Sequence, residues 1–267
     1  MNTKYEFTGE TKIVCGRTLR RIKAIVAIGA TVAPGDIGGW IESENNLSMS
    51  GDAWVSGDAW VYDNARVYGN ASVSGNARVS GNASVYCNAW VFGKAEVYGN
   101  AMVYDNASVS GNAMVSGNAE VYGNAMVYDN ARVYGNASVS GNAMVSGNAE
   151  VYGNAWVSGN ARVYCNACVS GNAMVSVNAS VSGNAMVSCN ARVYGDEDYM
   201  TFKNSWSSGR WFTYTASNKK WSVGCFYGTG DELVRKAYSD SELSGKCYEA
   251  IVRAVEAIEA AKGSGVK

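Results

Sequence analysis

The sequence predicts an all-β solenoid, a stack of short parallel strands wound into a coil and closed at each end by a different small fold. Three observations carry that prediction. From Gly51 to Tyr194 the 267-residue chain divides into 24 hexads without an insertion, each close to G-N-A-x-V-x. The third position is alanine in all 24, Ala53 through Ala191, and the fifth is valine in all 24, Val55 through Val193. The first position is glycine in 17 hexads and the second is asparagine in 21, residue types that tolerate the left-handed backbone a tight turn needs.

Two fixed apolar residues at spacing two, with variable neighbours, describe a short strand with one face inward. Six residues cannot make a hairpin and repeat in this way, but they can make one side of a coil that climbs one strand spacing per turn. A single turn buries too little valine to offset the ~1–2 kcal/mol per residue of backbone ordering, so stability has to accumulate from stacked neighbours. Both open ends then need caps. Residues 1–50 predict the first cap: a hairpin from residues 4–7 and 13–28, then N-N-L-S-M-S at 45–50, which keeps the hexad rhythm with Leu47 and Met49 inside. Residues 51–194 form the rod. Residues 195–267 predict a small α+β domain with strands at 199–204, 210–216 and 220–226. Thr229 and Glu232 form a capping box for a helix through Tyr238, and a longer helix at 241–262 carries Tyr248, Ile251, Val255 and Ile258 on one face.

The repeat resembles the hexapeptide-repeat, left-handed parallel β-helix family, in which three hexads make a triangular coil of 18 residues. That resemblance implies about eight coils over residues 51–194. The opening segments KYEFTGETK, GRTLRRIKAI, GDIGGWIE and ENNLS resemble hexapeptide-repeat proteins of the YdcK type, and WSVGCFYGTGDEL at 221–233 resembles a segment of phage and prophage proteins that carry such repeats. The resemblance implies a fold and no established activity.

Composition narrows the function. With 22 basic against 23 acidic side chains there is no field to draw a polyanion, so no nucleic-acid partner is expected. No run of ~20 apolar residues and no leader-like N-terminus is visible, which predicts a cytoplasmic protein with no membrane partner. The seven cysteines read as reduced thiols. Histidine is absent. The acyltransferases and carbonic anhydrases that the resemblance brings to mind use histidine as base or zinc ligand, so no catalytic residue, metal or cofactor is expected here. Cys165 and Cys168 have no second pair at metal spacing and read as small side chains tolerated at a corner and on a strand.

The outward positions carry the remaining information. The fourth position holds four tryptophans and six methionines among its 24 residues, a large apolar load for a solvated surface. Trp54, Trp60 and Trp90 are therefore candidates for a subunit or partner interface. Tyr68, Tyr86, Tyr104 and Tyr122, spaced by 18, predict an aromatic ladder on one side of four successive coils. In the C-terminal domain the candidates are Trp206, Arg210, Trp211, Tyr214 and Trp221. GNAMVSGNAEVYGNA occurs at 111–125 and again at 141–155, displaced by 30 residues, so the copy lands on a different side of an 18-residue coil. The interior is specified strictly and the exterior loosely.

The expectation is a rigid, non-catalytic assembly and binding rod, homo-oligomeric as a trimer or dimer, that engages a protein partner, with a phage-encoded antagonist of host machinery as one concrete form. The alternative is an acyl- or nucleotidyl-ligand binder or divergent transferase with its site at a subunit cleft, where Asp231, Glu232, Arg210 and Tyr214 would act.

Overall fold

The computed structural model describes residues 3–264 as a parallel β-solenoid of about nine turns, followed by an antiparallel sheet and two helices. The N-terminal strands are β1 (Tyr5–Val14), β2 (Arg17–Ala24) and β3 (Ile37–Ile41). Twenty-four two-residue strands follow, β4 (Trp54–Val55) through β27 (Arg192–Val193), one per hexad. Up to the last turn each pairs in parallel with the strand 18 residues on, as Trp90 with Ser108 and Glu96 with Met114, so the rod has three sheet faces. Among the hexads the first face begins at Trp54, the second at Trp60 and the third at Arg66.

The interior is the predicted one. Every hexad alanine and valine is buried, with at most 1% of its surface exposed. At the corners the backbone turns left-handed: Gly75 has φ 69° and Gly99 φ 74°, and an added Cβ on Gly99 would lie 3.0 Å from the backbone of Gly117 in the next turn. Asparagines close the corners. From Asn64 to Asn190 each Nδ2 donates to the Oδ1 of the asparagine 18 residues on, at 2.9–3.3 Å. At another corner Lys94 takes the asparagine position, and the ladder there runs only from Asn112.

The sheets are flat. Tyrosine rings 18 residues apart lie parallel to within 6° at 4.8–4.9 Å, whereas neighbouring strands of an ordinary sheet rotate by ~20–25°.

Four expectations need correction. The rod gains a ninth turn because Trp40 and Ile41 of β3 pair in parallel with Trp60 and Val61, and Leu47 bridges to Val67. The hairpin turns at Cys15–Gly16, both left-handed, so Ile13 and Val14 belong to the end of the first strand rather than to the second; Gly9 sits at a bulge where the first turn was expected. Leu47 is buried but Met49 is 37% exposed. In the C-terminal domain β28 (Tyr199–Lys203), β29 (Trp211–Thr215) and β30 (Lys220–Val223) are joined by a fourth strand, β31 (Phe226–Gly228).

Helix α1 (Gly230–Asp240) starts with the predicted box: Thr229 N donates to Glu232 Oε2 at 2.7 Å and Glu232 N donates to Thr229 Oγ1 at 3.3 Å. Helix α2 (Glu242–Ser264) buries Val252 and Val255, while Ile258 is exposed.

The two ends of the rod present opposite chemistry. Within a turn stack each N–H points to the carbonyl of the following turn, as Trp54 N to Ala71 O. The N-terminal end therefore exposes carbonyls and the C-terminal end exposes N–H groups. Donors meet the first: Trp40 N and Glu42 N of the cap bond Ala59 O and Val61 O, and Asn46 Nδ2 bonds both Asp63 O (3.0 Å) and Ala65 O (2.9 Å). Acceptors meet the second. Ser180 N donates to Asp196 Oδ1 (2.8 Å), Met186 N to Thr213 Oγ1 (2.8 Å), Arg192 N to Ser217 Oγ (2.7 Å) and Tyr194 N to Asp198 Oδ2 (2.7 Å).

Candidate interaction surface

The 18-residue coil sorts the outward side chains into three columns of different character. The second face reads Trp60, Arg78, Glu96, Met114, Arg132, Glu150, Cys168, Met186. Its charges pair along the column, Arg78 with Glu96 at 3.4 Å and Arg132 with Glu150 at 3.6 Å. Lys12 lies 4.6 Å from the Trp60 ring and 4.1 Å from Trp40, with Arg78 4.5 Å away on the Trp60 ring. Trp60 is therefore enclosed by cations of its own chain. The third face reads Arg66, Ser84, Met102, Glu120, Ser138, Trp156, Met174, Arg192 and has the tyrosine ladder beside it.

The first face is different. It reads Trp54, Ser72, Trp90, Ser108, Met126, Met144, Arg162, Ser180, with one charge in eight positions against four on the second face and three on the third. Trp90 is 60% exposed and Met126 40%; Phe92 and Tyr164, at the strand ends beside them, are also exposed. This uncharged strip was not distinguished from the sequence, although counting the fourth position in steps of 18 separates it.

The predicted candidates fall into separate places. Trp54 belongs to the first face but is 5% exposed, covered by the N-terminal cap with its ring edge against Tyr5 at 6.5 Å. Tyr68, Tyr86, Tyr104 and Tyr122 form the predicted stack. A second stack, Tyr134 on Tyr152 at 4.9 Å, obeys the same spacing and was overlooked. Tyr214 and Trp221 are core residues of the C-terminal sheet, and Trp206 packs on Phe212 and Tyr248. Trp211 is half-buried and Arg210 exposed. Asp231 and Glu232 lie in the first turn of α1, where Glu232 serves as a cap.

The tyrosine ladder has a pH signature. Tyr104 donates to Glu120 Oε2 at 3.2 Å and Tyr134 to Glu150 Oε2 at 3.1 Å. Burial first, and then these carboxylates, hold both phenols well above the ordinary tyrosine range. A folded pKa raised above the unfolded ~10 gives stability that is whole below pH ~10 and lost as pH rises beyond it. The melting temperature is expected to fall between pH ~9 and ~12, and Tyr104→Phe with Tyr134→Phe to make that fall shallower. An unchanged slope in the double variant would remove the phenols as its cause.

The seven cysteines are free, and among the described residues no three His, Cys, Asp or Glu side chains group as a metal site. No described helix is long and apolar enough to cross a membrane. A surface cavity of about 560 Å³ lies beside the foot of the tyrosine ladder and is lined by Arg66, Tyr68, Glu44 and Met49 among others.

A family model described as YdcK Beta solenoid repeat matches residues 59–75, 71–87, 95–111, 119–135, 127–141 and 131–147. The matches all lie inside the hexad region and span less than half of the chain, so it is the rod that is similar to YdcK-type repeats. No curated protein matches the chain.

Proposed function

We propose that this YdcK-like solenoid is a non-catalytic assembly and binding rod that associates through its first face. The observation that supports the reading is the contrast between faces: on the second face the arginines pair with glutamates and Trp60 is covered by cations, while Trp90, Phe92, Met126 and Tyr164 on the first are exposed. Unpartnered apolar surface of this extent marks protein contact. The likeness of residues 221–233 to phage and prophage segments supports a host protein as a further ligand and an infected cell as the setting.

Sedimentation equilibrium tests the reading. The expected result is an assembly of more than one chain that Trp90→Glu with Met126→Glu reduces to the monomer, with an unchanged circular dichroism spectrum. A monomeric native protein overturns it. So does a melting-temperature rise of several degrees with acyl-CoA or a nucleotide sugar, the ligands of the transferase reading.

A further inference from the structure

Extending that reading, we infer that the first face is an isologous interface on which two copies pack antiparallel, related by a twofold axis that crosses the rod between the Met126 and Met144 turns. The flatness of the rod makes the geometry tractable, because residues 18 apart stand in straight columns ~4.8 Å apart. Two columns project from this face. The strand column runs Trp90, Ser108, Met126, Met144, Arg162, Ser180; the strand-end column runs Phe92, Ser110, Tyr128, Ser146, Tyr164, Ser182.

Turning the second copy end over end about that axis sets Trp90 opposite Ser180, Arg162 opposite Ser108 and Met126 opposite Met144. In the strand-end column it sets Phe92 opposite Ser182, Tyr164 opposite Ser110 and Tyr128 opposite Ser146. Large meets small in five of these six pairs, and the sixth joins two methionines, the side chain that adapts best to an irregular contact. Neighbouring arrangements lose this match. An axis along the rod sets each turn on itself, so the large Trp90 and Phe92 meet Trp90 or Phe92 of the second copy and the two Arg162 side chains stand at the same height. Sliding the partner by one turn, so that the axis crosses the Met144 turn, sets Tyr128 on Tyr164 and leaves Ser108 facing Ser180.

Charge and area agree with a second copy as the occupant. In the proposed pairing the two Arg162 side chains stand three turns apart, ~14 Å, beyond the ~8–10 Å over which salt screens. Six turns span ~29 Å and a side of the coil is ~20 Å wide, a contact of roughly 600 Å² per copy before side-chain relief, close to the ~800 Å² per partner of a stable interface. The loop of Ile28, Thr31 and Val32 beside Trp54 and Trp90 bounds the strip at one end, and Asp196 beside Ser180 bounds it at the other.

A charge swap tests the pairing. On its own chain Ser108 has Trp90 and Met126 as column neighbours, both uncharged, so a new charge there reports on the partner. Ser108→Arg is expected to weaken the dimer at least about tenfold by facing Arg162 of the second copy, and Ser108→Glu to tighten it. Ser108→Arg with Arg162→Glu is expected to restore the native affinity, all read by sedimentation equilibrium on variants with native circular dichroism. An assembly indifferent to Ser108→Arg, or one weakened by it and not restored by Arg162→Glu, overturns this pairing while leaving association through the face intact. A native protein that is monomeric throughout removes both.

Discussion

Val121→Asp is expected to abolish the folded rod. Val121 lies mid-rod with none of its surface exposed, stacked between Val103 and Val139 and ringed by hexad alanines and valines. Burying a carboxylate among apolar groups with no cation in reach costs several kcal/mol even after the group protonates. The interior offers no relief. Alanine and valine at every inward position leave a narrow core, and no strand can be displaced singly because each is shared by the turns above and below. A solenoid holds together through contacts between neighbours, so a break at its centre also separates the two ends from each other. The expected outcome is loss of the cooperative melt and of resistance to limited proteolysis, with Tyr122→Asp, one residue away and half-exposed, remaining folded. A Val121→Asp protein that melts within a few degrees of native would refute the interior described for the rod.

The contrast between those adjacent positions explains how much the sequence could reveal. Each inward position has one environment repeated 24 times, so a single rule, small then aliphatic, could be read directly. The ninth turn escaped because its rule is the same in a disguised form. Gly39, Trp40 and Ile41 stand where Ala59, Trp60 and Val61 stand in the next turn, but 20 residues separate them instead of 18. The single helical turn at Glu44–Asn46 lies in that longer coil, and an added Cβ on Gly39 would come within 2.7 Å of Ala59 O, so the inward position tolerates nothing larger. Outward positions share no such rule. Whether Trp54 is an interface residue or a covered one depends on Tyr5, 49 positions earlier, folding across it, a contact no local pattern records. The uncharged first face was latent in the 18-residue count, and became visible once each outward residue was assigned to its column.

Asn46→Leu is expected to destabilise the protein by about 3–6 kcal/mol, the second-largest effect, because one buried amide closes the first carbonyls of the third face. Its Nδ2 donates to Asp63 O and Ala65 O, and its Oδ1 accepts from Ser43 N at 2.8 Å, all with none of Asn46 exposed to water. Leucine has similar bulk and no polar atom, so the substitution leaves the buried Ala65 carbonyl without a partner, at about 1–3 kcal/mol, and the part-buried Asp63 carbonyl and Ser43 N–H without theirs, at a smaller cost each. The opposite end supplies the control. Thr213→Val removes one acceptor, that of Met186 N, and its expected cost is about 1–3 kcal/mol. Neither substitution changes a hexad residue, so thermal melts followed by circular dichroism report on the contacts that close the two ends. Asn46→Leu should lower the melting temperature more than Thr213→Val. Equal or negligible shifts would mean that the rod's open edges are tolerated by the fold, and that the donor end and the acceptor end are not what stops its growth.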